Sequence, residues 1–203
     1  MQHRPARRAE ISPIARSARL WLALALLCLL GAEPAGAYSY SAAGAEPLID
    51  AREQALAALN AGDFAGARKA SAQAAAELEY LDEHQQRALG AELERALAAR
   101  DEKAVDRVYL RAFAGEIRRR IAAAKENVAD YQLAKTLVIR SKRFLDLVAP
   151  HLPEPARASA ARSLEACLEA LGNPGLFGVG ARAPAPAVFA ENAERVLASL
   201  ASL

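Results

Sequence analysis

"ENVADYQLAKTLVIRSKRFLDLVA", residues Glu126–Ala149, reads as one helix with two adjacent apolar seams. Tyr131, Ala134, Val138, Leu145 and Val148 form one seam, and Leu133, Leu137, Phe144 and Leu147 run beside it. Spacings of three and four are the period of an α-helix, whereas a strand would alternate every second residue. So wide a stripe predicts the most buried helix of the protein.

The neighbouring stretches follow the same period. Downstream, "PHLPEP" at Pro150–Pro155 ends the helix, because prolines remove donors and disfavour helix in the residue before each. A further helix runs from about Pro155 to Leu171 with Ala161, Leu164, Leu168 and Leu171 inward, and Gly172 sits where a left-handed cap is expected. Phe189, Ala193, Val196, Leu200 and Leu203 then recur at four and three, so the C-terminus is expected to dock. Upstream, Val105, Val108, Tyr109, Ala112, Phe113 and Ile117 build a broad face that extends to about Ala124, while Gln85–Arg100 is polar and weakly patterned. No segment alternates with period two. The expectation is an all-α antiparallel bundle of five to seven helices over residues 46–203.

At the start of that region Pro47 suits a first helical turn, and Ile49, Leu56 and Leu59 share a face before "NAGD". Asp63 can cap a second helix with Ala67, Ser71, Ala74, Leu78 and Leu81 inward. This hairpin, "ALAALNAGDFAGARKASAQA" at Ala55–Ala74, resembles the helix-turn-helix of a tetratricopeptide unit, with Gly62, Asp63, Phe64 and Ala67 carrying the match. The resemblance implies helical packing and a groove near Phe64 that takes a peptide. Its nearest echo, "RDEKAV" at Arg100–Val105, lacks the glycine and the aromatic, and such arrays need about three stacked units to bury a continuous core.

The first 37 residues read as a cleaved secretory signal. Arg4, Arg7, Arg8, Arg16 and Arg19 make a basic start, "LWLALALLCLL" at Leu20–Leu30 is apolar, and Ala35-Gly36-Ala37 gives an A-x-A site with cleavage between Ala37 and Tyr38. A spanning helix needs about 20 apolar residues, roughly twice this run, so no transmembrane anchor is expected after cleavage. Leu27 before Cys28 disfavours lipidation, and Arg7-Arg8 lies too far from the apolar run for a twin-arginine signal. Tyr38–Ala45, "YSYSAAGA", reads as a flexible tether. The expected location is extracytoplasmic, in the periplasm or secreted.

Cleavage changes the composition. Of 26 basic and 24 acidic residues the signal holds five and two, which leaves 21 and 22, a formal charge of −1. A nearly neutral domain lacks the basic footprint of a nucleic-acid binder. Met1, Trp21 and Cys28 leave with the signal, so Cys167 is the one remaining cysteine and no intramolecular disulfide is possible. Cys167 lies beside Leu164, Leu168 and Leu171 and reads as a buried, inert thiol; His151, between prolines, reads as an exposed loop residue.

Four features bear on function. The loop "GNPGLFGVGARAPAP", Gly172–Pro186, is long for a compact domain. Leu176 and Phe177 within it either plug one end of the bundle or dock on a partner. It is no phosphate cradle, since Gly180 is followed by Ala181 and Arg182 rather than by Lys and Ser or Thr after a strand. The acidic cluster "ELEYLDEH" places Glu79 and Glu83 four apart beside His84, and Glu126 and Asp130 repeat that spacing. It is either a solvated face, with Glu83 pairing Arg87, or a carboxylate site for iron, manganese or calcium. The stripe Arg107, Arg111 and Arg118, with Arg119 and Arg120 beside it, is either solvated or meets an anionic partner. Finally, no G-x-S-x-G elbow, H-E-x-x-H motif or cysteine–histidine context supports catalysis, and no cofactor is expected. The reading is a non-enzymatic exported module that binds an envelope protein or peptide through Leu176, Phe177 or Phe64. A metal-handling bundle using Glu79, Glu83, Glu126 and Asp130 is the alternative.

Overall fold

Three aspartates start three helices in the same way. Asp63, Asp101 and Asp130 each accept a hydrogen bond from the backbone N–H three residues on, Gly66 at 2.8 Å, Ala104 at 2.9 Å and Leu133 at 3.0 Å. Each satisfies a donor that a helix start would otherwise leave bare. The computed structural model describes residues 46–85, 88–175 and 179–203. The signal, its cleavage pair Ala37 and Tyr38, the tether 38–45, Arg87 and the loop residues Leu176 and Phe177 lie outside the described residues.

Glu46–Leu203 form one compact unit. The described residues hold eight α-helices: α1 Pro47–Asn60, α2 Phe64–Ala72, α3 Ala75–Gln85, α4 Leu89–Ala99, α5 Glu102–Glu126, α6 Tyr131–Val148, α7 Glu154–Ala170 and α8 Pro186–Ser199. There is no strand among them, and Asn173 and Arg182 pair in an isolated antiparallel bridge. The fold is all-α, with one helix more than the upper expectation. The extra helix comes from a break at Gln73–Ala74, where Gln73 and Ala74 donate to carbonyls three residues back and tighten the chain. No glycine or proline marks that turn, and the predicted seam of Ala67, Ser71, Ala74, Leu78 and Leu81 is buried on both sides of it.

The centre of the core is α5 and not, as the apolar width suggested, the helix of Glu126–Ala149. Thirteen residues of α5 are buried, against six of α6. The reason is position: α5 packs on α1, α3, α4, α6 and α8, whereas α6 rests chiefly on α5 and α7. Leu133 on α6 is accordingly 41% exposed. Tyr109, Phe113 and Phe144 form an aromatic column, with ring centroids 6.4 and 5.3 Å apart in succession. The Tyr109 hydroxyl donates to Ser71 Oγ at 3.1 Å and so satisfies a buried polar atom.

The remaining helices close the unit. The Ala149–His151 turn is a short 3-10 helix and His151 is exposed. On α7 the buried face is Ala160, Ser163, Leu164, Cys167 and Ala170. It is rotated one residue from the predicted seam, so Ala161 faces out. Gly172 adopts φ +74° just past α7. On α8, Phe189, Ala193, Val196 and Leu200 are buried as expected, and Leu203 packs partly against the core.

Candidate functional site

The turn between α1 and α2 recurs between α4 and α5. Gly62 has φ +75° and Arg100 φ +57°, and the following residues, Asp63 and Asp101, donate to Ala58 O at 2.8 Å and Ala96 O at 3.1 Å, five residues back in both cases. Arg100 therefore takes the left-handed conformation that Gly62 takes in the first turn. Its guanidinium lies 4.0 Å from the centroid of the Phe64 ring, and Phe64 is half-buried under it. Phe64 serves as an inter-hairpin staple in this arrangement.

Between the hairpins lies α3, whose two flanks differ in charge. Positions 75, 78, 79, 82 and 83 fall on the side toward α4, and positions 76, 77, 80, 84 and 85 on the side toward α5, as a 3.6-residue period dictates. The α4 side is a groove of about 390 Å³ with Ala72, Ala75, Leu78 and Leu93 at its floor and Glu79, Asp82, Glu83 and Glu94 along its rim. Asp82 is committed to structure: it accepts from Leu89 N at 2.6 Å and Gly90 N at 2.9 Å and so caps α4. Glu94 meets Arg68 at 3.2 Å in the open. Glu79 and Glu83 are exposed.

The α5 side is a cleft of about 590 Å³ lined by Tyr80, His84, Gln85, Arg118, Arg119 and Glu126, with Ala122 and Ala123 beneath. Tyr80 and His84 stack at 3.9 Å with ring planes 16° apart. His84 Nδ1 lies 2.9 Å from the Tyr80 carbonyl; a carbonyl only accepts, so Nδ1 carries the proton. Gln85 Nε2 donates to Gly115 O at 3.0 Å, and Arg118 donates to Leu200 O at 3.1 Å, tying α5 to the end of α8. Arg119 lies 5.5 Å from the Tyr80 ring centroid and binds Glu116 with two hydrogen bonds of 2.9 and 2.8 Å.

Behind the cleft runs a buried charge network. Arg120 Nη2 lies 3.0 Å from Glu116 Oε2 and donates to Glu46 Oε2 at 2.7 Å. Arg140 Nε donates to Glu46 Oε1 at 2.8 Å. Glu46, Glu116 and Arg120 are 2, 4 and 5% exposed. Burial pushes the Glu46 carboxyl up, but hydrogen bonds and charge from Arg140 and Arg120 outweigh it and hold the group below its ordinary value of 4.5. In the sequence Glu46 is no more than the first residue of the expected bundle, and Arg120 lies beside a stripe that is either solvated or meets an anionic partner. The one signal was the spacing of Glu116 and Arg120, four apart in line with the apolar residues Phe113, Ile117 and Ile121.

The metal reading is not assembled. Glu79 and Glu83 lie on the α4 side of α3, while His84 faces the cleft with Glu126. Glu126 ends α5, and Asp130 sits past a turn as the α6 cap, so the two do not share a helix as expected. No group of three His, Cys, Asp or Glu among the described residues could hold a metal ion. Nor does the arginine stripe face one partner surface: Arg111 pairs with Glu92 of α4, Arg118 reaches α8, and Arg107 alone of the three is exposed. No helix among the described residues is long and apolar enough to cross a membrane. No protein-family model, curated protein or solved structure is significantly similar to this chain.

Proposed function

We propose that this chain is an exported, non-enzymatic helical module of the cell envelope that binds a protein or peptide segment. In this reading it is an antiparallel bundle with a tetratricopeptide-like first hairpin, released by cleavage between Ala37 and Tyr38. The observation that carries the reading is the groove between α3 and α4, which offers an apolar floor of Leu78, Leu93 and alanines beneath the carboxylates of Glu79, Glu83 and Glu94. A floor of that kind accepts the apolar face of a helix, and an acidic rim favours lysines or arginines at its margins. Two turns of like geometry at Gly62 and Arg100 support the tetratricopeptide-like repeat. The base of the 172–186 loop is closed by the Asn173–Arg182 bridge, and in this reading its Leu176 and Phe177 are a further partner contact.

The test is selection of peptides from a random displayed library on the mature protein, with fractionation of the producing cells. Peptides with basic flanks and an apolar helical face should be enriched, and a Glu79→Lys/Glu83→Lys variant should lose them. The extracytoplasmic form should begin at Tyr38. Enrichment indifferent to the charge reversal rejects the groove, and retention of residues 1–37 in the cytoplasm rejects export.

A further inference from the structure

We infer that the face formed by α3, α4 and α5 docks on the same face of a second copy of this chain, the acidic flank of α4 in one copy meeting the basic flank of α4 in the other. The inference rests on the acidic groove being a contact surface, as proposed above, and names a second copy as its occupant.

α4 packs against both α3 and α5. The helical period turns Ala91 and Ala98 outward as its crest, with Glu94 on the slope toward α3 and Arg95 on the slope toward α5. Each slope descends into a groove. The first is the acidic groove of about 390 Å³. The second, of about 500 Å³, has Ala96, Ala99, Ala104 and Val108 at its floor, with Arg95 and Arg107 exposed along it.

The two grooves hold surplus charge of opposite sign. In the first, Asp82 caps α4 and Glu94 faces Arg68, which leaves Glu79 and Glu83. In the second, Asp101 caps α5 and Glu92 pairs with Arg111, which leaves Arg95 and Arg107. Among the described residues none of these four takes part in an ion pair. Arg95 donates only to its own helix, through Nε to the Ala91 carbonyl at 3.2 Å.

Each set also repels itself. Glu79 and Glu83 are four apart on α3. Lys103 and Arg111 stand four residues to either side of Arg107, and Arg95 lines the same groove from α4. Like charges at that spacing on a helix are destabilising. Within one copy α4 keeps the two sets apart, so the charge that relieves each is found on another molecule.

Symmetry then fixes the arrangement. A two-fold axis along α4 sets the acidic flank of one copy against the basic flank of the other twice over, the self-complementary contact of an isologous dimer. An axis across α4 would set Glu79 and Glu83 against their own counterparts, so the two α4 helices run parallel. Charge gives the pairing its orientation, and the apolar floors and the alanine crest supply surface to bury.

Sedimentation equilibrium of the protein, purified as its producing cells accumulate it, tests the inference. We expect a monomer–dimer equilibrium with a Kd of about 100 µM or tighter at roughly 0.1 M salt, weakened at 1 M salt where exposed charges are screened. Glu79→Lys/Glu83→Lys and Arg95→Glu/Arg107→Glu should each weaken the dimer at least about tenfold while keeping the parent melting curve, since all four positions are exposed. An equimolar mixture of the two variants should dimerise again, because one then carries only cations on this face and the other only carboxylates. A parent that stays monomeric up to about 1 mM overturns the inference. So does self-association that neither reversal weakens, or a mixture that stays monomeric. Should a reversal lower the melting curve, Glu79→Gln/Glu83→Gln and Arg95→Gln/Arg107→Gln, which remove charge and add none, decide by the same loss of dimer. Arg95 and Arg107 lie outside the peptide groove, so Arg95→Glu/Arg107→Glu should lose the dimer and keep the selected peptides; a monomeric parent that enriches those peptides overturns the dimer alone.

Discussion

The carboxylate of Glu46 is held at 2.7 Å by Nη2 of Arg120, a residue 74 positions further along the chain. The pair joins the residue that precedes α1 to the middle of the core helix α5, and both partners are almost wholly out of water. Removing one member of such a pair leaves the other charged and uncompensated.

Glu46→Gln should therefore lower unfolding free energy by about 3–5 kcal/mol, read from urea denaturation. The acid limb should change as well. A carboxyl whose pKa is lowered on folding contributes stability that is present above 4.5 and lost as the pH falls through its lowered folded-state value. Stability measured from pH 7 downward should fall less steeply in the Gln variant than in the parent. Parallel curves would show that Glu46 contributes no pH dependence.

On the alkaline side the sign is set by Cys167 and Tyr109. Desolvation pushes the Cys167 thiol from 9.0 up to about 12. It also raises the Tyr109 hydroxyl above 10.0, against a smaller opposing effect of the Ser71 hydrogen bond. The folded chain keeps protons that the unfolded chain has shed, so stability should fall as pH rises from about 9. At pH 8 iodoacetamide should leave the Cys167 peptide unmodified in the native protein and alkylate it in denaturant, which peptide mass mapping reads directly.

Arg100 combines a strained backbone with a cation over Phe64. Arg100→Ala gives up the ring contact and keeps the left-handed φ of +57°, whereas Arg100→Gly gives up the contact and relieves the backbone. The Ala variant should be the less stable of the two by roughly 0.5–1 kcal/mol in thermal or urea unfolding. An Ala variant at least as stable as the Gly variant would mean that position 100 bears no strain.

Gly62 and Gly172 have almost the same φ, +75° and +74°, but different surroundings. A Cβ at Gly62 meets nothing within 4 Å, while one at Gly172 falls 2.2 Å from the Arg182 carbonyl oxygen. Gly62→Ala should cost about 1–2 kcal/mol, the price of the left-handed backbone alone. Gly172→Ala should cost more, because the base of the 172–186 loop must also part. The difference between their melting temperatures measures that closure.

Much of the helical framework was legible in the residues. The seams of α5 and α8, the caps at Asp63 and Gly172, and the burial of Cys167 follow from local spacing, which one helix settles for itself. What escaped depends on which helices meet. The apolar width of α6 said nothing about how few neighbours it has, and the break after Ala72 carries no glycine or proline because three-residue hydrogen bonds make it. Arg120 illustrates the same limit: its charge is visible in the sequence, its burial is not, since the counter-charge comes from Glu46 far upstream. The two-sided character of α3 could have been drawn from its period, but the cleft that Tyr80 and His84 line forms only when Arg118 and Arg119 of α5 stand opposite.

The clasp on Glu46 also sets how the unit should respond to load. Glu46 is the first residue of the compact unit and is clasped by Arg120 and Arg140 on two different helices. Tension arriving along the chain from the upstream side is thus delivered to the ion pairs at α5 and α6 before it can unwind α1 turn by turn. Under load the unit should hold and then yield in one event, at a force set by the rupture of buried charge, so the same contact that stabilises the resting fold makes its leading end a strong point of attachment.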